Sequence, residues 1–180
     1  PPPRSRIQPF KLTQPRVAQR NGIQSQHSAM IDLQGHSALV TGSTKGVGRA
    51  IAAALAEAGA DLIIHGRSRS PEADQVTQRC RSHGVKTDFI AADLAGPTAS
   101  VVDQVFTQAI AKFPKLDILV NNAGQYFDLP FENMTLERFE KTQRLNATIP
   151  YFLTPPFAGY WVECAIPGRV LLIGSINGRL

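Results

Sequence analysis

The residues of this chain that could do chemistry fall in a few short stretches, the first being Val40-Thr41-Gly42-Ser43-Thr44-Lys45-Gly46-Val47-Gly48. It follows an apolar run and opens a segment with helical periodicity. A strand that turns on glycines into a helix aims free backbone N–H groups and the positive helix end outward, which seats a phosphate. The glycines remove side chains where the phosphate must approach the backbone. An ordinary strand–helix turn uses some of the same residues, so the pattern needs its context. Further along, Asn121-Asn122-Ala123-Gly124 and Gly174-Ser175 each follow an apolar run, and Asn146 lies between them in Leu145-Asn146-Ala147-Thr148.

The elements that must position these residues are read from alternating periods. Residues 37–40 predict a short buried strand, and after the glycine turn Val47, Ile51, Leu55 and Ala58 fall on one face of a helix that Gly59 closes. Residues 62–65, bounded by Gly66, predict a second strand, completing a β-α-β unit of about thirty residues. That context supports the phosphate reading of the glycines. The alternation continues with a polar helix over 71–83, a strand over 86–91 and a helix over 97–113 carrying Val101, Val105, Ile110 and Phe113. A strand over 116–120 follows, then a longer helical segment from Thr135 to the Pro155-Pro156 pair, and a fifth strand over 169–173. Five strands separated by helices predict an α/β fold with a doubly wound parallel sheet and ligands at the carboxyl ends of its strands.

Composition narrows the class. With 43% hydrophobic and 18% charged residues among 180, the chain reads as a soluble globular domain, and no apolar run approaches the roughly 20 residues of a membrane span. The net charge of +5 is unevenly placed: Arg4, Arg6, Lys11, Arg16 and Arg20 stand in an acid-free segment, leaving 14 Lys and Arg against 14 Asp and Glu in residues 30–180. A nucleic-acid-binding face is therefore not indicated, nor a membrane surface. Residues 1–29, rich in Pro, Gln, Ser and Arg, predict a disordered basic extension, with the domain over 30–180. They lack acids as a transit peptide does, but make a poor amphipathic helix; Met30 stands where the globular pattern begins and is a candidate native start. Cys80 and Cys164 have no metal-ligand spacing, so no metal site is expected, and free thiols fit a cytoplasmic setting.

Taken in order, Thr41-Gly42-x-x-x-Gly46-x-Gly48, Asn121-Asn122-Ala123-Gly124 and Gly174-Ser175 resemble the classical short-chain dehydrogenase/reductase family. The similarity covers residues 31–180 and is greatest to the 3-oxoacyl-carrier-protein reductases, which shade into sugar, steroid and xenobiotic reductases. It implies a Rossmann-type fold, hydride transfer between a nicotinamide and a carbonyl or alcohol carbon of a small molecule, and a dimer or tetramer of the full-length chain. Under the resemblance, Gly42, Ser43, Thr44, Lys45, Gly46, Val47 and Gly48 wrap the pyrophosphate and adenosine ribose. Asp93 bonds the adenine with Leu94 beside it, and Asn121, Ala123 and Gly124 lie along the cofactor. Ser175 bonds the substrate oxygen, and Asn146 holds a helix kink and a water in a proton relay. From the residues alone, Asp93 is equally a helix cap before Pro97, and Asn146 a polar helix residue or a glycosylation sequon.

An NAD site uses a carboxylate at the end of the second strand to bind the ribose 2′-hydroxyl. His65-Gly66-Arg67 stands there instead, with Asp61 at the opposite end of the strand. Arg67 and Lys45 could pair with a 2′-phosphate, which predicts NADP(H) rather than NAD; the alternative is two solvated surface charges. The family's proton donor is a tyrosine four residues before a lysine, and none of Tyr126, Tyr151 and Tyr160 has a lysine at that spacing. The expectation is the N-terminal part of a longer enzyme, cut after the fifth strand, which leaves strand 169–173 near a bare sheet edge. A truncated, catalytically inactive nucleotide-binding or regulatory protein on the same fold is the alternative.

Overall fold

The computed structural model describes residues 31–175. The basic extension and the reading of Met30 as a start lie outside the described residues. Within them, five strands alternate with helices: β1 (Ser37–Val40), α1 (Gly46–Glu57), β2 (Asp61–Gly66), α2 (Pro71–Arg81), β3 (Thr87–Ala91), α3 (Thr98–Lys112) and β4 (Ile118–Asn121) come first. A 3-10 turn over Phe131–Asn133, α4 (Leu136–Gln143), one stretch of π-helix (Arg144–Thr148), α5 (Ile149–Glu163) and β5 (Arg169–Leu172) complete the order. All strands pair in parallel in the order β3-β2-β1-β4-β5. This is the doubly wound, Rossmann-type α/β fold that the alternation predicts.

Strand periodicity divides the core into two layers. Leu39, Ile63, Ile90 and Leu119 point to one face and pack with Val105 of α3 and Ile149, Leu153, Phe157 and Trp161 of α5. Ala38, Val40, Leu62, Ile64, Ile118 and Val120 point to the other, against Ala52 and Ala56 of α1 and Val76 and Cys80 of α2. Because both faces of the central strands are covered, β1, β2 and β4 each carry three successive apolar residues rather than an alternating pattern.

Three expectations are corrected. The buried stripe of α1 is Gly48, Ala52 and Ala56, one position on from the predicted face, while Val47 is 62% exposed. Small residues let the helix lie close to the sheet, so Ile51 and Leu55 pack at the flanks of the contact and Val47 faces a cleft. The helix predicted to reach the proline pair instead runs through Pro155 and Pro156 to Glu163. Each proline costs a helix interior about 3 kcal/mol, but Ile149, Leu153, Phe157 and Trp161 form one buried stripe worth about 1.5–3 kcal/mol per side chain. Trp161 Nε1–H also donates to the Leu116 carbonyl at 2.7 Å, fixing the far end of the helix. Finally, the segment from Thr135 is interrupted by the π-helix, in which the Ile149 N–H reaches back to the Arg144 carbonyl. As expected, β5 is an edge strand among the described residues, and all four of its residues are exposed.

Candidate functional site

A cleft of about 2050 Å³ opens across the carboxyl ends of the strands, lined by the turns after β1, β2, β3, β4 and β5. The turn after β1 is fixed by sterics. Gly42 has φ +63, and a Cβ there would stand 2.9 Å from Ala123 Cα. A Cβ on Gly48 would meet the Asn122 amide nitrogen and stand 2.5 Å from the Gly42 carbonyl oxygen. Only glycine fits where α1 begins.

The start of α1 is bare. Its N-cap is Lys45, with no capping side chain and no acid in the first turn, so the leading N–H groups and the positive helix end face the cleft unsatisfied. The start of α2 is satisfied from within: Ser70 Oγ accepts from the Ala73 N–H at 3.3 Å, with Glu72 and Asp74 in the first turn. Of the two helix starts, that of α2 is capped from within and that of α1 is left open to the cleft.

Hydrogen bonds lock this turn to the interior. Thr41 Oγ1 accepts from the Asn122 and Ala123 N–H groups at 2.9 and 3.0 Å and donates to the Val120 carbonyl at 3.3 Å. Asn122 Nδ2 donates to the Thr41 and Gly42 carbonyls at 2.9 and 3.2 Å. Gly42 N–H donates to His65 Nδ1 at 3.0 Å, so that ring nitrogen is unprotonated. Burial pushes His65 down to about 4, against the upward pull of the Ala92 backbone and the Asp93 charge.

The residues predicted to bind are distributed as follows. Gly42, Thr44, Lys45, Gly46, Val47, Gly48, Arg67, Asp93, Leu94, Asn121, Ala123, Gly124, Asn146 and Ser175 all line the one cleft. Ser43 does not: it is fully buried, its hydroxyl accepting from the His65 N–H at 2.9 Å and its own N–H bonding the His65 carbonyl at 2.9 Å. Asp93 Oδ1 accepts from the Ala95 N–H at 3.0 Å and closes a local turn, whereas the N-cap of α3 is Pro97, with no capping side chain; the helix-cap alternative fails. Arg67 and Lys45 are exposed, line the same cleft, and form no ion pair among the described residues. A Cβ on Gly66, the last residue of β2, would stand 2.7 Å from Thr44 Cγ2, so a carboxylate is excluded there unless Thr44 moves.

On the other side of the cleft, Asn146 sits in the π-helix. Its Oδ1 accepts from the Gln125 N–H at 2.9 Å and its Nδ2 donates to the Gln125 carbonyl at 2.7 Å, which fixes the amide orientation. A Cβ on Gly124 would approach Asn146 Oδ1 to 2.6 Å, so glycine admits the amide. Asn121 is buried with its Nδ2 3.4 Å from Thr154 Oγ1, and its Oδ1 has no partner among the described residues. Ser175 follows β5 and is exposed at the same end of the sheet, where the Ile173 N–H still bonds the Asn121 carbonyl at 2.9 Å. Sequence reasoning missed the parts of Thr41, Asn122 and His65, and also Arg144, whose Nη1 donates to the Ala95 carbonyl at 2.8 Å and ties the π-helix to the turn after β3. Only the Asn-Asn doublet and the Thr before the first glycine hinted at the first two.

Fold and cleft together define a doubly wound α/β protein whose cleft meets an uncapped helix start at the center of its sheet. The chain belongs to the short chain dehydrogenase family, whose model matches residues 36–180. It is 38% identical over 154 residues to L-rhamnose 1-dehydrogenase (NADP(+)) of Thermoplasma acidophilum, covering 84% of this chain and 59% of that protein. It is 32% identical to the 3-oxoacyl-[acyl-carrier-protein] reductase of Synechocystis, over 84% of this chain and 60% of that one. Among solved structures, the 3-oxoacyl (acyl-carrier-protein) reductase of Agrobacterium tumefaciens with NADP bound superposes with a TM-score of 0.73 at 33% identity, over 82% of this chain and 55% of that chain. The chain thus spans somewhat more than half the length of these relatives.

Proposed function

We propose that this chain binds NADP(H) and serves an oxidoreductase that moves hydride between NADPH and a carbonyl or alcohol carbon of a small molecule, a 3-oxoacyl thioester or similar ketone. The observation that carries the reading is the bare N-terminus of α1 behind Gly42 and Gly48, beside the unpaired cations Arg67 and Lys45. The α1 N–H groups would hold the pyrophosphate, and Arg67 and Lys45 the 2′-phosphate. The end of β2 carries Gly66 followed by Arg67 and so offers no carboxylate of the kind an NAD ribose would use. The relative named for NADP(+) and the neighbour holding NADP agree with this choice.

When bound, the nicotinamide supplies or accepts the hydride. Asn121, Ala123 and Gly124 would lie along the cofactor, Ser175 would hydrogen-bond the substrate oxygen, and Asn146 would hold a water beside it for proton transfer. Self-association as a dimer or tetramer is part of the proposal, supported by Leu136, Phe139, Tyr151 and Phe152, which stand 51–72% exposed on α4 and α5. A cytoplasmic location is supported by two free cysteines, Cys80 and Cys164. No helix among the described residues is long and apolar enough to cross a membrane.

The test is a titration of NADPH and NADH against the protein and its Arg67→Ala variant. The protein is expected to prefer NADPH by at least about tenfold, with the preference lost in the variant, because a charge-assisted phosphate bond contributes about 1.5–3 kcal/mol. Equal affinity for both dinucleotides overturns the NADP assignment. Oxidation of NADPH with a 3-oxoacyl thioester, compared with a simple diketone and a sugar lactone, assigns the substrate class, and a folded, NADPH-binding full-length protein that turns over none of them overturns the reductase reading.

A further inference from the structure

His65 is a buried titratable side chain that the proposed reaction does not use. It is 2% exposed in a strand where it follows Leu62, Ile63 and Ile64, and where an aliphatic side chain would be the cheaper occupant. Its backbone is already engaged on both sides by Ser43, so the ring is not needed to hold β2 to the turn. What the ring adds is an acceptor, Nδ1, for the N–H of Gly42. The other nitrogen, Nε2, finds no hydrogen-bond partner among the described residues. Among the described residues the ring's hydrogen bond of normal length is the one to Gly42, and the Ala92 backbone acts on the ring besides.

Gly42 is where the acceptor matters. Its φ of +63 is a conformation any other residue enters under strain, and Ala123 closes off the opposite side. Without Nδ1, the Gly42 N–H would be left without an acceptor at the point where the chain bends toward the start of α1. Resting on the reading that the cleft binds a dinucleotide, we infer that His65 is the positioning residue of the pyrophosphate grip: its neutral imidazole, protonated at Nε2, holds Gly42 and thereby aims the N–H groups of the glycine turn. Burial keeps the ring neutral. Asp93, on the turn after β3, is the charged group that acts on it; Ile90 is its partner on β3, and Lys45 is exposed further along the glycine turn.

The experiment measures NADP+ and 2′-AMP binding by calorimetry in the wild type, His65→Leu and His65→Asn. The fragment 2′-AMP carries the 2′-phosphate and adenine but no pyrophosphate. Expected results are a loss of about tenfold in NADP+ affinity for His65→Leu, 2′-AMP affinity held within about twofold, and recovery of NADP+ binding in His65→Asn, whose amide oxygen can accept from Gly42. Nitrogen NMR of the labelled imidazole is expected to show Nδ1 unprotonated and Nε2 protonated. A folded His65→Leu that binds NADP+ as the wild type does, or loses both ligands alike, overturns the inference, as does a proton on Nδ1. Should His65→Leu not fold, His65→Asn and the tautomer decide: an Asn variant folded but at least tenfold weaker for NADP+ overturns the inference. A wild type that binds neither ligand is seen before any substitution and removes the dinucleotide reading with it.

Discussion

At the glycine turn the polar groups are committed to the interior, whereas across the cleft the corresponding groups are held at the surface. Gly42, Ser43 and Thr41 are bonded to His65 and Val120 of buried strands and to half-buried Asn122 and Ala123 just past β4. On the other side, α4 buries none of its residues, the exposed Asn146 is held through the backbone of Gln125, and β5 shows all four residues to solvent. Interior hydrogen bonds open only with the global fold, while exposed ones open locally at lower free energy. An anion grip gains from being rigid before its ligand arrives. The side expected to meet varied substrates is built from elements that can yield.

The largest effect expected to probe this difference is Phe157→Ala. Phe157 is fully buried, edge-on to Phe106 at 5.1 Å, and its removal is expected to destabilise the fold by about 3–5 kcal/mol in urea unfolding. Hydrogen exchange in the variant should accelerate first over α3 and α5 and last over β1 and β2; uniform acceleration would break the distinction between the two sides.

Acid should strain the glycine-turn side. His65 ionises near 6.5 in an unfolded chain and at about 4 in the fold, so between those values the unfolded chain binds more protons. Stability is therefore fully present above pH 6.5 and falls as the pH drops toward 4, by about 3 kcal/mol in all from this ring. Urea midpoints for the wild type and His65→Asn should diverge over that window, and parallel curves would show that the ring carries no such linkage.

A smaller effect is expected from Gly48→Ala, where the added methyl meets Asn122 and the Gly42 carbonyl. Overpacking of this kind costs about 1–3 kcal/mol, and NADP+ affinity should fall with it because the turn must shift. Retention of both stability and affinity would mean that the glycine-turn side is less rigid than its hydrogen bonds indicate. The smallest effect is expected from Asn146→Ala: about 1 kcal/mol or less in urea, since its bonds to Gln125 are exposed, and no change in NADP+ affinity. A large loss of stability there would place the yielding side among the rigid parts.

Much of the fold was legible because it is local. Strand and helix periods from 37 to 120, the closing glycine at 59 and the proline that opens α2 are each set by a few neighbouring residues, and the structure has elements where those periods put them. The clustering of Lys45, Arg67, Asp93, Asn121 and Ser175 around one cleft also followed from the alternation, because a parallel sheet brings every strand's carboxyl end to the same edge.

Other features depended on partners far away in the chain. That α1 buries Gly48, Ala52 and Ala56 rather than the face of Val47 was decided by how closely the sheet lets a helix approach. That α5 passes through two prolines was decided by the aromatic layer beneath it and by the bond from Trp161 to Leu116. Ser43, read from its place in the motif as a ligand, was claimed by the backbone of His65. Thr41 met Asn122 and Ala123 across about eighty residues, and His65 met Gly42 across more than twenty. By itself the sequence determined which elements form and which edge they share, since propensity and period act over a turn or two. Only the tertiary structure decided which polar groups at that edge are spent on one another and which remain for a ligand, since hydrogen bonding depends on distances that no local pattern encodes.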